Sequence, residues 1–144
     1  ASDGARIYFA NSNSGLQPVT IAGQTSASGF WGALDAATGA ILWRTADPNF
    51  LSGAFGAVTV AGGLVYGGSI GGPSPYIGIA GQHRTAPTMF ALDAATGEIR
   101  WSHVAGGSVV GGAAVVDGSI YWGSGYANFG VGVDNKRLFA FRLR

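Results

Sequence analysis

The sequence has no cysteine and few charged residues, and both deficits narrow what the chain can do. Without a thiol there is no disulfide framework, no thiolate metal site and no cysteine nucleophile. Charged residues make up 10% of the chain and the formal net charge is +1, so no long-range field gathers nucleic acid or a membrane surface. No apolar run approaches the roughly 18 residues that a membrane-spanning helix requires.

Signals for α-helices are also missing. No segment shows the apolar period of an amphipathic helix. Glycine occurs 26 times and hydrophobic residues make up 47% of the chain, so the composition is too apolar for disorder and too rich in glycine for long helices. Packed strands joined by turns remain, and the sequence therefore predicts an all-β fold.

What the chain does have is one motif that occurs twice, Asp-Ala-Ala-Thr-Gly with a tryptophan four positions after the glycine. The aspartate of such a turn accepts hydrogen bonds from backbone amides two or three residues on, and the glycine supplies a left-handed conformation. The tryptophan lies on an outer strand, where we expect it to bury against the neighbouring sheet. These roles are structural, and the spacing of the copies matches the length of a propeller blade. The motif comprises Ala33, Asp35, Thr38, Gly39 and Trp43 in the first copy and Ala91, Asp93, Thr96, Gly97 and Trp101 in the second.

Apolar alternation around the motif predicts a β-propeller of four-stranded antiparallel blades. We label the strands of a blade a to d from the central channel outwards. Residues 53–104 are predicted as a complete blade, residues 1–46 as a blade without its inner strand, and residues 108–144 as a final blade without its outer strand. The predicted strands are 6–10, 30–34 and 40–46, then 55–60, 64–67, 88–92 and 98–104, and finally 109–116, 119–123 and 137–143.

The chain is predicted to be a segment of a longer protein. Ala1 is not a start methionine and the sequence opens on a turn and a strand, so we expect about two and a half blades of a larger ring. The first and last blades would then have uncovered faces and open strand edges. The isolated chain is therefore predicted to oligomerise or aggregate.

The connections of these blades differ in length, and the long ones are predicted on one side. The b-to-c loops (11–29, 68–87 and 124–136) are far longer than hairpin loops and emerge beside the d-to-a connections. We call this side the long-loop face, and long loops on a rigid scaffold often carry function. Of the seven acidic residues, only Asp47 and Asp134 reach it. Each is a candidate general base or calcium ligand, with turn formation as the alternative.

Other candidate residues lie on or beside the same face. Trp122 ends a b strand and is a candidate to cover a planar cofactor, with a position in the core as the alternative. Gln82, His83 and Arg84 form the most polar cluster of the second long loop and are candidates to bind an anionic cofactor or substrate, with simple solvent exposure as the alternative. The other histidine, His103, is predicted on the surface, and the spacing of the two histidines predicts no metal site.

Residues 33–43 and 91–101 resemble the tryptophan-docking repeat of the quinoprotein propellers. Residues 106–109 and 115–126 are similar to the C-terminal end of polyvinyl alcohol dehydrogenase-like members, and the resemblance covers essentially the whole chain. It implies an eight-bladed ring that binds pyrroloquinoline quinone (PQQ) and calcium. It also implies a periplasmic or secreted enzyme that oxidises an alcohol to a carbonyl by base-assisted hydride transfer to the quinone and passes electrons to a cytochrome.

The resemblance implies two kinds of protein, because a similar repeat builds non-catalytic scaffold lipoproteins that help to assemble outer-membrane barrels. The sequence lacks the vicinal cysteine pair and the Cys-x-x-Cys-His haem motif of some of the enzymes. The expectation is the C-terminal part of a quinoprotein dehydrogenase, inactive by itself. Its partners would be the remaining blades, a cytochrome c domain or protein, and a small or polymeric alcohol. A protein-binding scaffold without a cofactor is the alternative.

Overall fold

The computed structural model describes residues 1–13, 17–26, 29–49, 52–71, 86–128 and 131–142. Every helix or strand assigned within these ranges is a β-strand, which confirms the all-β prediction. The strands are β1 (Arg6–Ser12), β2 (Val19–Ile21), β3 (Gln24–Ser26), β4 (Gly29–Asp35), β5 (Ile41–Ala46), β6 (Thr59–Ala61), β7 (Leu64–Gly68), β8 (Thr88–Asp93), β9 (Ile99–Val104), β10 (Ala114–Val116), β11 (Ser119–Ser124), β12 (Ala127–Asn128), β13 (Val131–Gly132) and β14 (Arg137–Arg142).

The strands form three main antiparallel sheets that follow one another along the chain. The second sheet has the order β6-β7-β8-β9 and is a complete four-stranded meander. The first sheet has the order β1-β4-β5 and the third has the order β10-β11-β14, so they correspond to strands b-c-d and a-b-c. This arrangement confirms the predicted antiparallel blade. Two small hairpins, β2-β3 and β12-β13, lie within the first and third long loops, where no strand is predicted.

The first sheet also contains the end of an inner strand. The Tyr8 N–H donates to the Ala1 carbonyl (2.8 Å), and the Ala1 ammonium group donates to the Tyr8 carbonyl (3.0 Å). Ser2 forms an antiparallel bridge with Ile7. This pairing has the register of β6 on β7 in the second sheet. Ala1 and Ser2 therefore occupy positions of an a strand.

Both inner strands begin later than predicted, β6 at Thr59 and β10 at Ala114. Before β6, Ala54 still bridges Ser69 of the same sheet, but Ala57 contacts the residues before β10 instead, since its N–H donates to the Val110 carbonyl (3.3 Å). Gly56 has φ +111°, and a Cβ at this residue would overlap the Val110 carbonyl. Gly56 therefore serves close backbone approach between the two inner segments.

Two hydrophobic cores lie between the sheets and hold them face to face. Each large side chain that is buried in such a core stabilises the stack by roughly 1.5–3 kcal/mol. The second sheet contributes to both cores, so it is covered on both faces. The core between the first and second sheets contains Tyr8, Trp31, Trp43, Val65, Phe90 and Leu92, and the core between the second and third contains Tyr66, Met89, Val109, Ile120 and Trp122.

The two cores use equivalent positions, but the large and the small side chain of one facing pair change places between them. Trp31 in the first sheet is equivalent to Met89 in the second, because each stands two residues before the alanine that pairs with a motif tryptophan. Gly67 in the second sheet is equivalent to Trp122 in the third, because each follows a tyrosine that pairs with the inner strand. One junction thus combines Trp31 with Gly67, and the other combines Met89 with Trp122. At this pair of positions, the indole comes from the first sheet in one junction and from the third sheet in the other.

Substitution of Gly67 by alanine tests this packing. A Cβ at Gly67 would overlap the indole of Trp31, so we expect Gly67→Ala to lower the free energy of unfolding by about 1–3 kcal/mol. Gly111→Ala is the matched control, because a Cβ there meets no atom within 4 Å and the φ of Gly111 is not positive. Urea denaturation followed by tryptophan fluorescence measures both variants. Equal stability of the two would contradict the role of Gly67.

Candidate functional site

The motif aspartates are used within their own turns. Asp35 Oδ1 accepts hydrogen bonds from the N–H groups of Ala37 (3.0 Å) and Thr38 (2.8 Å) and from the Thr38 hydroxyl (2.8 Å). The Thr38 hydroxyl and then the Thr38 N–H hold the pKa of Asp35 below its usual value. Asp93 has the equivalent amide partners, and the Thr96 N–H is the main group that lowers its pKa. Both carboxylates therefore stabilise c-to-d turns, at the end of the sheets opposite the long-loop face.

Trp43 anchors the first sheet to the turn of the second motif. Its side chain is 8% exposed, and the indole N–H donates to the Ala94 carbonyl (3.1 Å). A Cβ on Gly97 would overlap the benzene ring of this indole, so Gly97 serves both the left-handed turn (φ +75°) and the docking. The Thr45 hydroxyl adds a second bond to the same turn by donating to the Gly97 carbonyl (2.6 Å).

Tyr8 joins the same docking point from the b strand of the first sheet. Its hydroxyl lies 2.7 Å from Asp3 Oδ2 and 3.3 Å from the Ala94 carbonyl. The Tyr8 hydroxyl and then the Arg6 N–H lower the pKa of Asp3 to about 2. The Ala94 carbonyl is thus the meeting point of two ring side chains from the neighbouring sheet.

The second motif tryptophan, Trp101, has a different environment. It is half-buried, and its ring contacts Phe141 of the third sheet edge to face with centroids 4.9 Å apart. His103 is parallel to the Trp101 ring (6.0 Å between centroids, 5° between planes) and packs against Phe139. His103 is therefore half-buried rather than on the surface as predicted, because the residue two positions after Trp101 shares its face. The third-sheet counterpart of the Ala94 turn lies outside the described residues.

A layer of buried polar side chains lies at the long-loop end of the sheets. The Ser69 hydroxyl donates to the Thr88 carbonyl (3.3 Å) and accepts from the Thr88 N–H (3.0 Å). Ser52 Oγ accepts from the Gly71 N–H (3.0 Å). The Ser69 bonds close the two ends of the long b-to-c loop, and the Ser52 bond joins this loop to a d-to-a connection. We call the polar layer the buried residues Ser26, Asp47, Ser52, Ser69, Thr88 and Ser108.

Asp47 is the ionisable member of the polar layer. Its side chain is fully buried, and Oδ1 accepts a hydrogen bond from the Asn49 N–H (2.9 Å). Oδ2 has no hydrogen-bond partner among the described residues. Loss of hydration raises the pKa of Asp47 to about 7, and the Asn49 bond opposes this rise. The carboxyl therefore changes its protonation near neutral pH.

The sheet itself does not need a carboxylate at this position. The Asp47 N–H donates to the Gly29 carbonyl (3.0 Å) in the first sheet, and the Ala105 N–H makes the equivalent bond to the Pro87 carbonyl (2.9 Å) in the second. Both side chains are buried. At the position equivalent to Asp47, the second sheet therefore folds with only the methyl group of Ala105. A buried carboxyl with one unpartnered oxygen reduces stability. The bond from the Asn49 N–H to Oδ1 is that of an aspartate in a turn, the alternative predicted for this residue, and it leaves Oδ2 unused among the described residues.

The other candidate residues have different environments. Asp134 is exposed in the third long loop, where its Oδ2 lies 3.6 Å from Lys136 Nζ. Trp122 is 1% exposed, and its indole N–H donates to the Gly111 carbonyl (2.7 Å). Its ring meets Tyr66 edge to face at 6.2 Å, which favours the core interpretation over a cofactor cover. The candidates Gln82, His83 and Arg84 lie outside the described residues.

Asn135 organises the third long loop, a role that the sequence pattern does not reveal. Its side-chain amide donates to the Ala105 carbonyl (2.8 Å), and its Oδ1 accepts from the Ser124 hydroxyl (2.7 Å). Beside it, the Ser108 N–H donates to the Val133 carbonyl (2.8 Å) and the Val133 N–H donates to Ser108 Oγ (2.7 Å). These bonds fasten the loop to the d-to-a connection. The partners are distant in sequence, so only the folded register discloses them.

The described residues do not fit the quinone and calcium implied by the sequence resemblance. Within them, no group of three or more histidine, cysteine, aspartate or glutamate side chains could hold a metal ion. Calcium takes six to eight oxygen ligands, and the unpartnered oxygen of Asp47 supplies one. The indole of Trp122 has no open ring face for a planar group.

Across the same ranges, no helix has the length and apolar character to cross a membrane.

Three antiparallel sheets stacked face to face, with a tryptophan docked on the turn of the next sheet, define a partial β-propeller. The family model PQQ_2, described as outer membrane protein assembly factor BamB, matches residues 27–141. The chain therefore belongs to this family of PQQ-like repeat proteins. No curated protein matches the chain.

Two solved structures that are similar to the chain come from longer proteins. BamB from Moraxella catarrhalis is 22% identical over 81% of this chain and 32% of its own, with a TM-score of 0.47. The quinohemoprotein alcohol dehydrogenase ADHIIG from Pseudomonas putida HK5 is 25% identical over 75% of this chain and 16% of its own, with a TM-score of 0.48. The chain thus spans about a third of the first protein and about a sixth of the second.

Proposed function

We propose that the chain is part of a quinoprotein-type propeller whose complete ring oxidises an alcohol, either polyvinyl alcohol or another, to a carbonyl. Membership of the PQQ-like repeat family and the blade architecture support this proposal. The ring would have eight blades and be periplasmic or secreted, with a cytochrome c domain or protein as electron acceptor. Residues outside the described ranges would hold the quinone and calcium, and the 144-residue chain would be inactive alone.

The burial of Asp47 and its raised pKa are the observation on which the proposal rests. A carboxyl with a pKa of about 7 is ionised in part at neutral pH, so it can accept the hydroxyl proton of an alcohol and later release it. Oδ2 is the atom for this step, because Oδ1 is held by the Asn49 N–H. The equivalent alanine, Ala105, shows that the repeat folds without a carboxyl here. Asp47 would act in the complete ring.

The complete protein, loaded with quinone and calcium, tests this role. Asp47→Asn is expected to lower kcat for alcohol-dependent dye reduction by roughly 100-fold or more, because the amide cannot accept the proton. In the parent, kcat is expected to rise with pH through about 7 as Asp47 ionises, and the variant is expected to lose this rise. Asp117→Asn is the control, since Asp117 lies in an a-to-b turn at φ +47°, which asparagine tolerates. Full activity of Asp47→Asn would contradict the proposal.

A second function, a scaffold that holds another protein during outer-membrane assembly, is favoured by the description of the matching family model. In this case the long-loop face would bind a protein partner and no cofactor. Dye reduction separates the two functions. A complete, folded protein that reduces no dye with alcohols of varied chain length, after loading with quinone and calcium, would favour the scaffold.

A further inference from the structure

The outer face of the third sheet exposes side chains whose equivalents in the second sheet are buried. Leu138 is 74% exposed, whereas the equivalent Met89 is fully buried against the third sheet. Tyr121 is 41% exposed, whereas the equivalent Tyr66 is 1% exposed. We call Val116, Tyr121, Leu138 and Ala140 the third-sheet outer face. It has the residue pattern of a face that packs on another sheet.

The opposite end of the stack has the matching type of face. Ile7 is 43% exposed, whereas the equivalent Val65 is fully buried against the first sheet. Phe9 lies over Gly32, since a Cβ on that glycine would overlap the Phe9 ring, and Phe9 meets Phe30 edge to face at 6.0 Å. We call Ile7, Phe9 and Phe30 the first-sheet outer face. On this face, Phe9 occupies the position equivalent to that of Trp122 in the third sheet.

The two outer faces complement each other as the second and third sheets do. In the buried junction, an aliphatic side chain and a tyrosine (Met89 and Tyr66) meet an aromatic side chain of the third sheet, Trp122. Leu138 and Tyr121 offer the same combination on one outer face, and Phe9 offers the aromatic ring on the other. One arginine borders each face: the Arg44 guanidinium lies over the Phe30 ring at 5.8 Å, and Arg142 alternates with Leu138 and Ala140 along β14.

We propose that, in the 144-residue chain, the first-sheet outer face of one copy packs on the third-sheet outer face of a second copy. Such a contact joins two different surfaces, so it forms either a closed ring or an open fibre. Two copies place six sheets in one ring, within the four to eight blades of typical propellers, whereas three copies would place nine. The assembly is therefore a dimer closed by two identical junctions. It does not depend on any chemistry at Asp47.

Light scattering after size-exclusion chromatography, at tens of micromolar, tests the dimer. The parent chain is expected at twice its mass of 14.5 kDa. Leu138→Lys and Ile7→Lys are each expected to be monomeric alone, because every junction then contains one altered face. An equal mixture of the two variants is expected to regain the dimer mass, because one of its two junctions joins an unaltered first-sheet face to an unaltered third-sheet face.

Val104→Lys is the matched control. Val104 is 61% exposed but lies on the second sheet, so this variant is expected to remain a dimer. All three substituted side chains are exposed, and circular dichroism should show unchanged folding. A dimer that survives in either single variant, or a mixture that stays monomeric, would overturn head-to-tail pairing. A monomeric parent chain would also overturn the pairing. The two outer faces would then be expected to pack on further sheets of a longer polypeptide.

Discussion

Trp43→Ala is expected to lower the free energy of unfolding by about 3–5 kcal/mol, the range for removal of a buried aromatic side chain. The substitution removes the docked indole and its hydrogen bond to the Ala94 carbonyl. It also uncovers Gly97, whose missing side chain makes room for that ring. The loss falls on the junction between the first and second sheets. Urea denaturation followed by circular dichroism measures it as a lower midpoint with an unchanged m-value.

Two control variants separate the contributions to this effect. Trp43→Phe keeps a ring but removes the N–H donor, so we expect it to recover much of the loss and to leave about 1 kcal/mol for the hydrogen bond. Trp101→Ala removes a half-buried indole and is expected to cost less than half as much as Trp43→Ala. Equal losses for Trp43→Ala and Trp101→Ala would contradict the docking of Trp43 as the main anchor.

Asp47→Asn is expected to stabilise the chain at pH 8 by an amount on the order of 4 kcal/mol. Burial raises the pKa of Asp47 from 3.8 to about 7, and each pKa unit corresponds to about 1.4 kcal/mol. Asparagine keeps the shape and the acceptor for the Asn49 N–H but carries no charge. Above pH 7, the parent must hold a buried carboxylate whose Oδ2 has no partner among the described residues, and the variant does not.

The direction of the pH dependence follows from the bound protons. Between about pH 4 and pH 7, the folded chain keeps a proton on Asp47 that the unfolded chain has lost, so stability falls as pH rises. Asp3, Asp35 and Asp93 have lowered pKa values and act in the opposite direction, at pH values below about 4. The melting temperature of the parent is therefore expected to fall from pH 4.5 to pH 7, and that of Asp47→Asn to stay level.

Asp134→Asn is the control for this experiment. Its carboxylate is exposed and pairs only at the surface with Lys136, so we expect little change at any pH. A parent chain whose stability rises between pH 4.5 and pH 7 would contradict the burial of Asp47. A variant that is more stable at pH 8 but inactive in the complete protein would identify Asp47 as a residue kept for function at a cost in stability.

The blades could be predicted from the sequence because their rules are local. The turn of Asp35 to Gly39 needs a carboxylate and a glycine at fixed positions, and alternation reveals which strand residues are buried. The β2-β3 hairpin escaped prediction for a local reason as well. Its turn residues, Ala22 and Gly23, both have positive φ, which usually calls for asparagine or aspartate at the first position. An alanine there conceals the turn.

The candidate site could be predicted only in part. The position of Asp47 after an outer strand places it on the long-loop face, and its counterpart Ala105 is visible in the repeat. Its burial is not, because Ser26 donates to the Asp47 carbonyl from the first long loop, while Asn49 reaches Thr88 in the second sheet. These contacts bring together three segments that are distant in sequence. No local pattern reports how far such segments remove a carboxyl from water.

The exchange of side-chain size between the two junctions makes the sheets non-interchangeable. A gene duplication that placed a second sheet directly after another would oppose Met89 to Gly67 and leave the volume of an indole empty. Deletion of the second sheet would instead force Trp31 against Trp122. Voids and overlaps of this size cost several kcal/mol, about 3–5 for a missing aromatic side chain. Duplication or deletion of the second sheet would therefore yield a chain that folds poorly, because the side-chain volumes on the two sides of a junction would no longer match.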